Sequence, residues 1–282
     1  MRRSVALVGA VVLLCAACSA HAEKKPQQSA KEGATPSGAS ADQSAAVRAA
    51  VATTVKSTAR IQEQIKVDGG DGQSFTISVK GGFDMAGDKG GLTAGLSTAG
   101  STAGSTADSA ARLDEVFADG TVYIRMPQET TGDTAWRSIR RDEAVSHYVL
   151  RAPVNDPEHV LNQVSRMRAA VKAGEETVNG APTVRYHGKL DTETLLLRMA
   201  EDKRAKFNEM LPLLGGEIPA FADVWVDRHG RIVRTRLLCN MAGTGVTATM
   251  DLTDHGKPVD TPSVPHGADR LPATAVGGPL GG

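Results

Sequence analysis

Catalysis by nucleophilic attack needs a serine, cysteine or threonine held beside a base, and the residues of this chain do not fall into such a pattern. There is no Gly-x-Ser-x-Gly elbow and no His-Glu-x-x-His helix motif. The seven histidines, at 21, 147, 159, 187, 229, 255 and 266, are scattered without metal-ligand spacing. His229 and His255 fall in turns, where a solvated imidazole is expected. The carboxylate pairs Asp114-Glu115 and Glu175-Glu176 are adjacent in extended stretches, so their side chains point to opposite faces and cannot share a substrate atom. Gly69-Gly70 and Gly81-Gly82 do not join a strand to a helix that begins Lys-Ser/Thr, which excludes a phosphate loop. Cys239 has no neighbouring His or Lys to activate it and reads as a small buried hydrophobe. No cofactor or metal follows from these residues, and catalysis is not expected.

The remaining chemistry is that of apolar surface. Asp223 to Leu238 reads as two strands joined at Asp227-Arg-His-Gly230, where Gly230 can take the positive φ a short hairpin needs. On the return strand Val233, Thr235 and Leu237 face one way and Arg234 and Arg236 the other. A sheet of such hairpins has one dry face, covered either by its own core or by a hydrophobic ligand. Trp225 suits a cavity wall and a core plug equally well.

The first residues carry an address. Arg2-Arg3 precede the apolar stretch from Val5 to Leu14, whose ten residues are too few to span a bilayer. Ala16-Ala17 then stand directly before Cys18. That order resembles the lipobox of bacterial lipoproteins, in which the cysteine becomes the lipid-bearing first residue, although Cys15 occupies the usual leucine position. The other reading is an ordinary secretory peptide cut after Ala17 or Ala22. Loss of Arg2 and Arg3 with residues 1–17 leaves 30 Lys+Arg of the original 32 against 32 Asp+Glu, a net charge of −2. Nucleic acid is therefore not an expected partner. Lipid on Cys18 would leave Cys239 unable to form a disulfide within the chain, and a diacylglyceryl anchor buries enough chain length for stable attachment.

Residues 18–43 are Ser-, Ala-, Lys- and Gln-rich and read as a flexible tether. From Ser44, the spacing of Val47, Val51, Val55, Thr58, Ile61 and Ile65 predicts an amphipathic helix ending near Asp68. Phe75 to Met85 alternates as a half-buried strand. Residues 86–112, which repeat Ser-Thr-Ala-Gly from 97, read as a low-complexity loop. Asp119-Gly120 and Asn179-Gly180 predict tight hairpins, and Trp136 to Arg140 a short strand. Asp156-Pro157 opens a helix expected to run to Gly174, with Val160, Leu161, Val164, Met167 and Val171 as its buried stripe. Asp191 caps another, through Leu195, Leu196, Met199, Phe207, Met210 and Leu211. Val246 to Leu252 is a last strand, and 263–282 an irregular tail.

This order of elements, with Asp156-Pro157, Glu176-Thr-Val-Asn-Gly180, Tyr186, Gly188, Leu190, Asp223 to Asp227, Gly230, Arg231, Arg234 and Gly256-Lys-Pro-Val259, resembles the LppX/LprAFG-like family of actinobacterial lipoproteins, related in fold to the LolA and LolB carriers. The match spans 44–262, apart from the repeat at 97–108. The resemblance implies an α+β fold, a curved antiparallel half-barrel with helices covering its concave face. It also implies that a lipid or glycolipid is carried in the hollow; with the lipobox reading, the expectation is a monomer anchored by lipid on the outer face of the cell membrane. Within the strands, Phe75, Ile77, Val79, Val122, Ile124, Met126 and Trp225 are the candidate walls. The alternative is an envelope interaction or regulatory module of the same fold without a ligand.

Overall fold

Two-residue alternation organises most of the chain, and a computed structural model shows the result for residues 37–69, 74–98, 111–126, 135–241, 243–272, 276 and 278–282. Cys18 and the repeats at 99–108 lie outside the described residues. The strands are β1 (Thr58–Asp68), β2 (Ser74–Asp84), β3 (Lys89–Thr98), β4 (Arg112–Ala118), β5 (Thr121–Arg125), β6 (Arg137–Arg140), β7 (Arg168–Val178), β8 (Ala181–Lys189), β9 (Ala220–Asp227), β10 (Ile232–Met241), β11 (Thr244–Thr253) and β12 (Asp269–Arg270). The helices are α1 (Ser37–Thr54), α2 (Pro157–Ser165), α3 (Thr192–Leu195) and α4 (Glu201–Met210).

All twelve strands form one sheet in the order β12-β6-β5-β4-β3-β2-β1-β11-β10-β9-β8-β7. Every pair is antiparallel except β12 with β6. The sheet stays open and curls into the expected half-barrel. Its hairpins turn where the sequence places them: Asp119 and Gly120 have φ of 50° and 70°, and Asn179 and Gly180 51° and 79°, as a type I′ turn requires.

The order of strands has a consequence for the helices. β6 lies near one edge and β7 forms the other, so the segment between them has to traverse the sheet. Residues 141–167, including α2, make that crossing over the inner face. The chain after β11 crosses the opposite face: Val259 packs on Gly82 and Pro262 on Gly91 before β12 joins β6. Glycine is required beneath it, because a Cβ on Gly91 would lie 2.5 Å from Pro262. A Cβ on Gly81 would lie 1.9 Å from the Gly91 carbonyl.

Several elements depart from the sequence expectations. Helix α1 begins inside the stretch read as tether and ends at Thr54, where Thr54 donates to the Ala50 carbonyl (2.7 Å) and accepts from Ile232 N–H (2.9 Å). Ala59, Ile61, Glu63, Ile65 and Val67 then alternate as β1; the charge in the middle hid the two-residue period, and Ile61 and Ile65 mimicked a helical one. β3 occupies the first part of the presumed loop, its signal diluted by Gly90, Gly91 and Gly95, while Leu92 and Ala94 are buried in register. Helix α2 ends at Ser165, so Val171 belongs to the edge strand β7 and is 47% exposed. The helix capped by Asp191 breaks after one turn, where Arg198 has φ 56° and Ser146 bridges Met199. The presumed irregular tail supplies β12 and buries Val276 and Leu280.

Candidate ligand site on the inner face of the sheet

Strand register assembles the inner face row by row. One row runs Leu96, Ile77, Ile65, Ala248, Leu237, Ala222, and the next runs Ala94, Val79, Glu63, Met250, Thr235, Val224. A third runs Glu115, Leu92, Gly81, Ile61, Leu252. Over so much aliphatic surface, each fully buried large side chain contributes about 1.5–3 kcal/mol. Two ionisable groups sit in these rows, Glu63 and Glu115, at 4% and 1% exposure.

A third charge reaches them from the crossing segment. Arg151, 4% exposed, donates from Nη2 to Asn155 Oδ1 (2.7 Å) and to the Leu280 carbonyl (3.2 Å). Asn155 in turn donates to Glu115 Oε2 (2.9 Å) and to the Leu280 carbonyl (2.8 Å). Holding these side chains inward bends the backbone out of its ordinary range: Leu150, Val154 and Asn155 have φ of 58°, 47° and 50°. For β-branched Val154 such a conformation is strained, and strain of about 1–3 kcal/mol per residue persists only where surrounding contacts enforce it.

Polar satisfaction here is incomplete. Arg151 Nε and Nη1, Glu115 Oε1 and Thr235 Oγ1 are buried without a hydrogen-bond partner. Each such atom costs about 1–3 kcal/mol. Burial pushes Glu63 up to about 7 against the pull of Arg151. Burial also lifts Glu115 well above the usual carboxylate range; Asp156 and Asp114 add to this, while Asn155 and Arg151 oppose it. At neutral pH the cluster therefore holds a guanidinium whose two carboxyl neighbours resist ionising.

A second cluster closes the rim beside it. Arg141 donates to both carboxylate oxygens of Asp156 (2.9 and 2.6 Å) and to Asp88, and lies over the rings of Phe83 and Phe117 at 5.3 and 5.6 Å. Asp156 also caps α2 through the Glu158 N–H at 2.9 Å. A recess of about 570 Å³ opens here between this cluster, Val51 of α1 and Val55 just after it. His159, on α2, is 4% exposed with neither ring nitrogen partnered, and burial lowers it to about 4.

Of the candidate walls, Ile77, Val79, Val122 and Ile124 lie in the inner core at 3% exposure or less, and Phe75 packs against it half-buried. Met126, just past β5, is 48% exposed. Trp225 is on the other face, donating to Glu176 Oε1 (2.8 Å) and buried with Val178 and with Val233, which the register shift between Ile232 and Arg234 turns away from the face expected to hold it with Thr235 and Leu237. Trp225 plugs the outer surface instead of lining the hollow, because its neighbours Val224 and Val226 take the inner positions. Glu63, Glu115 and Arg151 were missed as a group; a charge in an alternating apolar register is the signal that points to Glu63. Cys239 is buried and its thiol is pushed up to about 11 by that burial. His255, read as solvated, is half-buried with unpartnered ring nitrogens. Among the described residues no group of three metal-ligating side chains converges.

The comparisons concern the fold. No family model and no curated protein matches the sequence. Among solved structures, LprF from Mycobacterium bovis aligns with a TM-score of 0.45 and 10% identity, covering 79% of this chain and 97% of that one. LppX from Mycobacterium tuberculosis aligns at 0.40 and 12%, covering 79% and 99%. A LolA superfamily protein from Nitrosomonas europaea aligns at 0.29 and 10%, covering 78% and 94%. The chain is similar to these in its curved-sheet arrangement; such values say nothing of a ligand.

Proposed function

We propose that this chain is a lipid-anchored, extracytoplasmic protein that binds a lipid or glycolipid against the inner face of its sheet and carries it, without catalysis. The observation that carries the reading is the composition of that face: broad rows of Ile, Val, Leu and Ala, covered by one crossing segment, the helices and C-terminal residues such as Leu280. An acyl chain replacing those covers would gain about 0.8 kcal/mol per buried methylene. The face is closed as it stands, so a ligand enters by displacing cover. α1 is one of those covers, held through Val47, Ala50, the Thr54–Ile232 contact and Ser44, which accepts from Ala170 N–H.

Native mass spectrometry of the protein purified from its own host tests this. A retained amphiphile of defined mass is expected; neither co-purifying lipid nor uptake of added amphiphile would refute it. The anchor is tested separately, by Cys18→Ser, which releases the protein from the membrane fraction if Cys18 bears the lipid. Among the described residues no helix is long and apolar enough to cross a membrane.

A second reading, an envelope interaction module with no ligand, is favoured by one observation. The inner walls are packed, whereas a groove of about 1020 Å³ lies on the outer face between the strap at 257–266 and residues such as Lys80, Arg112, Arg125 and Trp136. Absence of any retained amphiphile would turn the reading to that groove.

A further inference from the structure

We infer that the buried cluster of Arg151, Glu63, Glu115 and Asn155 is the anchor for the head of the ligand, and that this head is a carboxylate: the preferred ligand is a long-chain carboxylic acid held head-inward. The inference rests on the lipid-binding reading and specifies its substrate class.

Three features of the cluster support it. The first is its placement, since charge is set into a face that is otherwise aliphatic. A purely structural core gains nothing from an incompletely paired ion there, and well-packed apolar groups of similar volume are often as stable. The second is its unmet hydrogen bonding. Arg151 has two donor nitrogens, Nε and Nη1, without acceptors, and both are buried. A carboxylate oxygen can take one of them in a charge-assisted bond; the two N–H groups diverge across the guanidinium, so one head does not take both. The third is the backbone, because three left-handed residues flank or belong to the pair that presents these side chains. Strain of that kind is stored where a geometry serves a site.

Charge favours the same head group. The groups that act on Arg151 are Glu63 from β1, Glu115 from β4 and Tyr148 from its own segment; Asp114 and Asp156 act on Glu115. While the two glutamates hold their protons, Arg151 is an uncompensated cation in a dry site and an entering anion neutralises it. Once Glu63 ionises, near pH 7, it becomes the counter-ion and repels the ligand. Acid binding should weaken as pH rises through that value.

The test compares hexadecanoic acid with its methyl ester, which has nearly the same chain and no charge, by displacement of a fluorescent acyl probe from the full chain carrying Cys18→Ser. At about pH 6 the acid is expected to bind about 10–100-fold more tightly than the ester, the range for a hydrogen bond to a charged group. The ratio is expected to shrink at about pH 8.5, and Arg151→Met to bring it to about one while the ester still binds. Should Arg151→Met fail to fold, the acid-to-ester ratio of the parent at the two pH values stands as the test. Equal binding of acid and ester at both pH values overturns the carboxylate anchor and leaves the carrier reading intact. Binding of neither probe overturns both.

Discussion

The two faces of this sheet treat charge in opposite ways. On the outer face charges are numerous and paired. Asp223, 2% exposed at its side chain, accepts from Arg236 at 2.7 Å and lies 3.4 Å from Arg185 and 3.1 Å from His187. Arg234 holds Asp251 at 2.7 Å, and the guanidinium groups of Arg185, Arg234 and Arg236 lie 5.6–6.0 Å from the Trp225 ring. Asp114 is pulled below the usual carboxylate range by Arg112 and Arg125, against its partial burial. On the inner face charges are few, deeply buried and incompletely paired. Adjacent residues show the contrast best: Asp114 turns outward into its ion pairs, and Glu115 turns inward and resists ionising. The outer pattern holds a curved surface together, whereas the inner one sets polar groups into apolar surface where they gain little stability.

The comparison can be tested by substitution. The largest effect is expected from Phe117→Ala, which empties a fully buried inner position whose ring meets Phe83 edge-on at 5.0 Å. Chemical denaturation should show a loss of about 3–5 kcal/mol. Next comes Glu63. Its folded pKa of about 7 lies above the ordinary 4.5, so the folded protein holds that proton more tightly. The resulting stabilisation is complete below about pH 4.5 and is lost as pH rises through 7, a fall of about 3 kcal/mol by about pH 8.5. Glu63→Gln should flatten that slope in denaturation curves taken across the range. A slope unchanged by the substitution would place the titration elsewhere.

Smaller effects are expected outside. Trp225→Phe loses the Nε1–H bond to Glu176 and part of the attraction for three guanidinium groups, a cost of about 1 kcal/mol with ligand retention unchanged. The smallest is Lys172→Ala: its contact with Glu175 is fully exposed, and the unfolding midpoint should not move.

Legibility followed the same division. The strands with clean alternation and the Asp-Gly and Asn-Gly turns were readable, because each signal is local. Helix α2 began where Asp156 and Pro157 announced it. Misreadings arose where tertiary demands override local pattern. Glu63 interrupted the apolar register of β1, glycines needed for close strand and strap contacts obscured β3, and an exposed edge gave β7 little apolar periodicity. Among site residues, Ile77, Val79, Val122 and Ile124 shared a face as their alternation required, but Trp225 did not join them. Nothing local to residues 146–155 announces that they cross the sheet. Arg151 could be placed only once the strand order was known.

Quenching of tryptophan fluorescence by a brominated acyl chain tests the inner-face site most directly, because Trp225 and Trp136 both belong to the outer side and Phe75 borders the inner core. Phe75→Trp should gain an emission component that the brominated lipid quenches, while the parent protein, with only its outer tryptophans, is quenched little. Quenching of the parent as strong as that of the variant would place the lipid on the outer face and contradict the account.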